Sequence, residues 1–208
     1  MGGSGSLPAA SPLRVPWLVA CLAVLMLGGS DPGSVAGSRE GDPGVAVCVV
    51  APRVEALDKL DAYGLVLTPE PVLVLVEPLL ELQIQRLNRD PWQLRGSAAK
   101  PILTPMLWPT DPIAPDEPVL LQMRPLGASP EAFAHVQLVG ASAQRMQETL
   151  RLLEALGSDP LTWLAAFEQA LADQDVPLAW TLLFDRRSPP SPELNELRRT
   201  VVERGCGD

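Results

Sequence analysis

The amino-acid sequence predicts an α+β domain: a mixed β-sheet with packed helices, including a C-terminal αα-hairpin, behind an N-terminal signal-like apolar segment. Three observations carry that expectation. Short apolar runs bounded by prolines, among them EPVLVLVEP at 70–78 and EPVLLQMRP at 117–125, suit core strands entered where no ladder donor is needed. Toward the C-terminus the apolar residues fall instead at helical spacing between capping signals. Near the N-terminus, WLVACLAVLMLGG from Trp17 to Gly29 is the most strongly apolar stretch of the 208-residue chain.

The apolar core of that first stretch, Trp17 to Leu27, is 11 residues long. A spanning helix needs about 20 and an export signal about 7–15, so length favours a signal. Arg14 is the only charged side chain before it, and small residues at Gly28 and Ser30, or at Ser34 and Ala36, fit a cleavage site. Residues 1–30 are therefore expected to be a signal peptide or, if retained, a membrane anchor. Leu18 to Cys21 looks like a lipobox, but most of the apolar core follows the cysteine rather than preceding it. The opening Met1-Gly2-Gly3-Ser4-Gly5-Ser6 also fits a myristoylation pattern. Residues 31–44, rich in Gly, Ser, Asp and Pro, read as a flexible linker, and residues 45–208 as a single globular domain.

The domain opens with VAVCVV at 45–50, a β-branched run suited to a buried strand. Pro52 then stands where a helix would begin, and Val54, Leu57, Leu60 and Tyr63 recur near helical spacing up to Gly64, which predicts a helix. VPLAWTLLF at 176–184 is a looser copy of the two proline-bounded runs and reads as another strand. Leu80 to Gln85 alternates strictly, which points to a half-buried strand against the helix propensity of its Leu, Glu and Gln. From about 92 to 118 the chain is a proline-rich connection, with Pro109, Pro112, Pro115 and Pro118 at every third position, the period of polyproline II. Ser142 caps a helix whose stripe is Met146, Leu150, Leu153 and Leu156, with Gly157 as its stop. Ser158-Asp159-Pro160 starts a second helix burying Leu161, Leu164, Phe167 and Leu171, and the short connection predicts an antiparallel hairpin of the two. A last charged helix is expected from about 193 to 203.

Composition narrows the chemistry. The formal net charge is −9, and removing Arg14 with a signal makes the remainder more acidic still. Such a surface repels phosphate backbones and argues against nucleic acid as a partner. His135 is the sole histidine, so any Ser-His-Asp triad or Cys-His pair runs through it. No C-x-x-C, H-E-x-x-H, G-x-G-x-x-G, Walker A or G-x-S-x-G pattern occurs, so no cofactor or metal is expected. The catalytic candidates are then His135 with Cys48 or with a serine, set among apolar neighbours that equally suit a packed histidine. The chain has three cysteines. Cys21 would leave with a signal, making Cys48 and Cys206 a disulfide candidate in an oxidising compartment.

Function is read from what remains. Trp92 and Trp108 flank the proline-rich segment, and Asp111, Asp116 and Glu117 crowd it; together they form the candidate partner-binding surface. The expectation is an exported, non-catalytic accessory protein whose partner is another protein, with membrane contact only through an uncleaved N-terminal segment. A small hydrolase using His135, and a membrane-tethered scaffold, are the alternatives.

Overall fold

The computed structural model describes residues 35–36, 45, 47–56 and 62–205. The chain divides into two units, Met1–Asp31 and Pro32–Asp208, and every described residue belongs to the second. The expected signal segment and Cys206 lie outside the described residues.

Among the described residues, ten strands build two sheets and four helices follow them. The smaller sheet has the order β1-β2-β5-β8, all antiparallel, from β1 (Val35–Ala36), β2 (Val47–Ala51), β5 (Val72–Leu75) and β8 (Met106–Leu107). The larger has the order β3-β4-β10-β9-β6-β7, from β3 (Val54–Ala56), β4 (Ala62–Val66), β6 (Leu79–Arg86), β7 (Trp92–Arg95), β9 (Pro118–Pro125) and β10 (Ala134–Gly140). It is mixed, because β10 runs parallel to β4 and antiparallel to β9. The helices are α1 (Ala143–Ala155), α2 (Pro160–Ala172), α3 (Val176–Phe184) and α4 (Pro192–Arg204).

Alternation along the strands explains the layering. Val47 and Val49 of β2, with Leu73 and Leu75 of β5, join Leu82, Ile84, Leu121, Met123, Val136 and Leu138 of the larger sheet in one core between the sheets. The intervening Cys48, Val50 and Val74 point the other way and pack with Trp180, Phe184, Val201 and Val202 of the helices. That two-sided cover is why all five residues of β2 are buried, and why its sequence reads as a continuous apolar run. The outer face of the larger sheet carries the polar half of each strand, including Gln83, Gln85, Gln93, Gln122 and Gln137.

The expected strands at 45–50, 70–78, 80–85 and 117–125 are β2, β5, β6 and β9. In β6, burying Leu79, Leu82 and Ile84 contributes about 1.5–3 kcal/mol per side chain, whereas helix propensities differ by about 0.7 kcal/mol per residue at most. The alternation therefore decides the conformation.

Four expectations are corrected. Val35 and Ala36, within the expected linker, pair with Cys48 and Val47 as β1. The expected helix from Pro52 to Gly64 is instead a turn at Pro52–Arg53 followed by β3 and β4, paired through Val54↔Gly64. Gly64 is no helix stop: it lies inside β4, where a Cβ would come 2.8 Å from Leu138 Cδ2, so it allows the close approach of β4 to β10. The expected strand at 176–184 is α3. Asp175 accepts the Leu178 N–H as its N-cap, and Ala179, Leu182 and Leu183 form a buried stripe at helical spacing, a pattern that a short all-apolar run conceals. Lastly, the helices in extensive contact are α2 and α3, one helix later than the expected hairpin. Met146 of α1 packs with Leu67 and Ala141, and it is the end of α1, Leu153 and Leu156, that meets the helical cluster.

The caps read from sequence are present. Ser142 accepts from the Arg145 N–H, Asp159 from the Leu161 N–H, and Gly157 takes φ +60° after α1, a left-handed turn that suits glycine.

Candidate functional site

The arrangement that shapes the surface is centred on Arg86, at the end of β6. The phase of Leu82 and Ile84 puts residue 86 on the buried side of the strand, and its side chain is 5% exposed. The guanidinium answers its burial with hydrogen bonds into the 108–117 segment. Nη1 donates to Pro112 O at 3.1 Å and pairs with Glu117 Oε1 at 3.3 Å, while Nη2 donates to the Asp111 carbonyl and to Thr110 Oγ1. Its carbon lies 5.9 Å from the Trp108 ring centroid. Trp108 Nε1 donates to the same Asp111 carbonyl at 2.8 Å, and Glu117 Oε2 accepts the Ala114 N–H at 2.8 Å. The proline-rich segment is thus fastened to the sandwich by one buried cation.

A cleft of about 380 Å³ opens beside this knot, lined by Arg86, Arg89, Asp90, Trp92, Pro109 and Asp111 among others. Trp92, half-buried on β7, forms one wall, and Pro109 to Asp111 form the other. Arg89 and Asp111 are both largely exposed and pair at 3.1 Å across the mouth. Of the five residues expected to meet a partner, the structure brings Trp92 and Asp111 together in this cleft. Trp108 is 7% exposed and Glu117 serves Arg86, so these two hold the segment instead of presenting a surface. Asp116 is exposed at φ +58° in the turn before β9, where its N–H donates to Gly140 O. Gly140 packs so closely there that a Cβ would overlap the Ala114 carbonyl.

A second charged cluster occupies the outer face of the larger sheet. Glu81 of β6 is 5% exposed; it accepts from Gln83, from Gln93 and from Arg124 Nη2 at 2.8 Å, and Arg95 pairs with it at 3.4 Å. Burial alone would raise its pKa, but the hydrogen bonds from Arg124, Gln83 and Gln93 and the charge of Arg95 overcome that and hold it at about 2. A carboxylate held so low stays ionised and cannot deliver a proton near neutrality, so it is a strand-bridging anion. Sequence reading passed over both Arg86 and Glu81. The signal that could have found Arg86 was its position two residues beyond Ile84, a charge in the apolar phase of a strand.

The catalytic candidates are not brought together. His135 falls between buried Ala134 and Val136 on the outer side of β10, while Cys48 faces the helices from β2, so the core between the sheets separates them. Cys48 is also disulfide-bonded. Among the described residues, no group of three or more His, Cys, Asp or Glu side chains could hold a metal ion, and no helix is long and apolar enough to cross a membrane. No family model matches the chain, and no curated protein or solved structure shows a significant match to it.

Proposed function

We propose that the protein is an exported, non-catalytic accessory protein and that it binds another protein through the cleft between Trp92 and the 109–111 segment. The observation that carries this reading is the convergence of a half-buried tryptophan, a proline and an exposed Arg89–Asp111 pair on one cleft whose wall is pinned from beneath by Arg86. Tryptophan and arginine are the residues that most often anchor protein interfaces, and a wall already ordered before binding lowers the entropy cost of association. The mixture of flat apolar surfaces with charges of both signs suits an extended segment of a partner protein. Export is supported by the short apolar run at Trp17–Leu27 and by the disulfide at Cys48, since such bonds persist in oxidising compartments.

A photo-crosslinking amino acid at Thr110, with the protein exposed to the exported fluid of its native host, tests the reading. The expected result is a discrete protein adduct from Thr110 that disappears in a Trp92→Ala background. The same crosslinker at Glu168, exposed on α2, is expected to give none. An absent adduct at Thr110, or an equal one from Glu168, overturns the proposal.

A further inference from the structure

We propose that a second cleft, between β8 and the end of α3, binds a small carboxylate with a short apolar chain, its charged end on Arg198. This cleft shares no lining residue with the one at Trp92, so the assignment stands apart from the function proposed above. Arg198 of α4 points to an anion. Its Nε donates to Leu183 O at 2.8 Å, Nη1 to Asn195 Oδ1 at 2.7 Å and Nη2 to Ser188 Oγ at 2.6 Å. All three acceptors are neutral. Burial lowers the pKa of this guanidinium, and no neighbouring carboxylate offsets that. A guanidinium carries five N–H donors, so two of them have no acceptor among the described residues. The other charges at the cleft are already paired. Asp185, its side chain 6% exposed, holds Arg187 through both oxygens at 2.8 and 2.9 Å, and Arg186 pairs with Glu70 at 3.4 Å. A carboxylate entering the cleft therefore meets a partly buried cation that lacks a counter-ion, in a chain of net charge −9.

The rest of the lining decides what the carboxylate carries. Val72, Pro105, Leu107 and Phe184 are apolar and give the amides of a peptide no side-chain partner, whereas an alkyl chain needs none. Leu107, 57% exposed on β8 at the edge of the smaller sheet, gains cover from such a chain. Sites for drug-sized ligands run to about 300–1,000 Å³, so a cleft of about 260 Å³ takes something smaller.

Isothermal titration calorimetry of the full-length chain near neutral pH tests the assignment, with hexanoate as the probe. Hexan-1-ol and acetate are the controls, one lacking the charge and the other the chain. Hexanoate is expected to bind at least about tenfold more tightly than either, the scale of one hydrogen bond to a charged group. Arg198→Gln is expected to weaken hexanoate by about tenfold or more. Because Arg198 also holds the Leu183 carbonyl, a second variant leaves that contact in place. Leu107→Asp, at an exposed position, sets a carboxylate in the cleft that repels the probe or pairs with Arg198 itself. It is expected to remove hexanoate binding while the urea midpoint stays near that of wild type. N-acetyl-leucine, which presents a peptide-like carboxylate, is expected to bind more weakly than hexanoate. Equal binding of hexan-1-ol, unchanged binding in Leu107→Asp, tighter binding of N-acetyl-leucine, or no binding of hexanoate each overturns the assignment.

Discussion

Strand β6 buries two charges of opposite sign on opposite faces, five residues apart, and the molecule partners them by different means. Glu81, on the outer face, is met by side chains from its own strand and from both neighbours in the sheet. Arg86, on the inner face, is met mainly by main-chain carbonyls of a segment more than 20 residues away in sequence, with Glu117 as its counter-ion. The first arrangement ties together strands that the sheet ladder already joins. The second organises a segment, 108–117, that has no strand or helix of its own. A buried charge thus matters most where the backbone has least ladder of its own.

Replacing the arginine gives the largest expected effect. Arg86→Met keeps the bulk and removes the donors, leaving Glu117 and the Asp111 and Pro112 carbonyls without their buried partner. Breaking one side of such a buried pair costs about 3–5 kcal/mol. In urea the midpoint is expected to fall with the slope unchanged. Arg86→Lys retains the charge but loses the planar fork, so it is expected to recover only part of that loss. A cost for Arg86→Met below about 1 kcal/mol would mean that the segment holds itself and that its order does not depend on the buried charge.

Glu81→Gln is the matched change on the other face, and it is expected to cost less. Holding the carboxyl at about 2 instead of its ordinary 4.5 corresponds to about 3 kcal/mol by linkage. Arg95 is largely exposed, so solvent screening reduces the expected loss to about 1–2 kcal/mol. Because the folded pKa is depressed, the stabilisation is fully present above about pH 4.5 and disappears as pH falls toward 2. Urea melts of wild type and Glu81→Gln between pH 2 and 6 isolate this contribution as their difference. The two curves are expected to converge at low pH; a constant gap would show that the carboxylate is not what the arginine and glutamines hold.

The unequal legibility of the two regions in the sequence has the same physical source. Strands whose neighbours are polar on one face announce themselves by alternation, so β6 was readable despite the helix propensity of Leu, Glu and Gln, while β9 was readable as an apolar run bounded by prolines. Capping side chains act within a few residues, so Ser142, Asp159 and Gly157 were readable as well. The run at 176–184 was not, because a helix apolar on nearly every side and a strand covered on both faces share one pattern. Gly64 misled for a related reason: a missing Cβ serves a turn and a close strand contact equally, and only the position of Leu138 distinguishes them. Of the site, Trp92 and Asp111 stood out by residue type and by the proline spacing around them. Arg86 did not, because the groups that make it important are carbonyls of a distant segment, which carry no sequence signature.

The smallest effect on stability is expected where the proposed effect on binding is clear. Arg89 and Asp111 have side chains 53% and 81% exposed, and such a surface pair contributes about 0–1 kcal/mol. Asp111→Ala keeps the Asp111 carbonyl that Arg86 and Trp108 hold, so the segment stays in place while the cleft loses its outward carboxylate. Its urea midpoint is expected to remain close to that of wild type, while the adduct captured from Thr110 falls by about tenfold, the scale of a residue worth roughly 1.4 kcal/mol at an interface. Unchanged capture in Asp111→Ala alongside lost capture in Trp92→Ala would confine recognition to the apolar wall. Lost capture with a lowered midpoint would instead make Asp111 part of the Arg86 fastening, so that one measurement assigns this carboxylate to the inner region or to the outer surface.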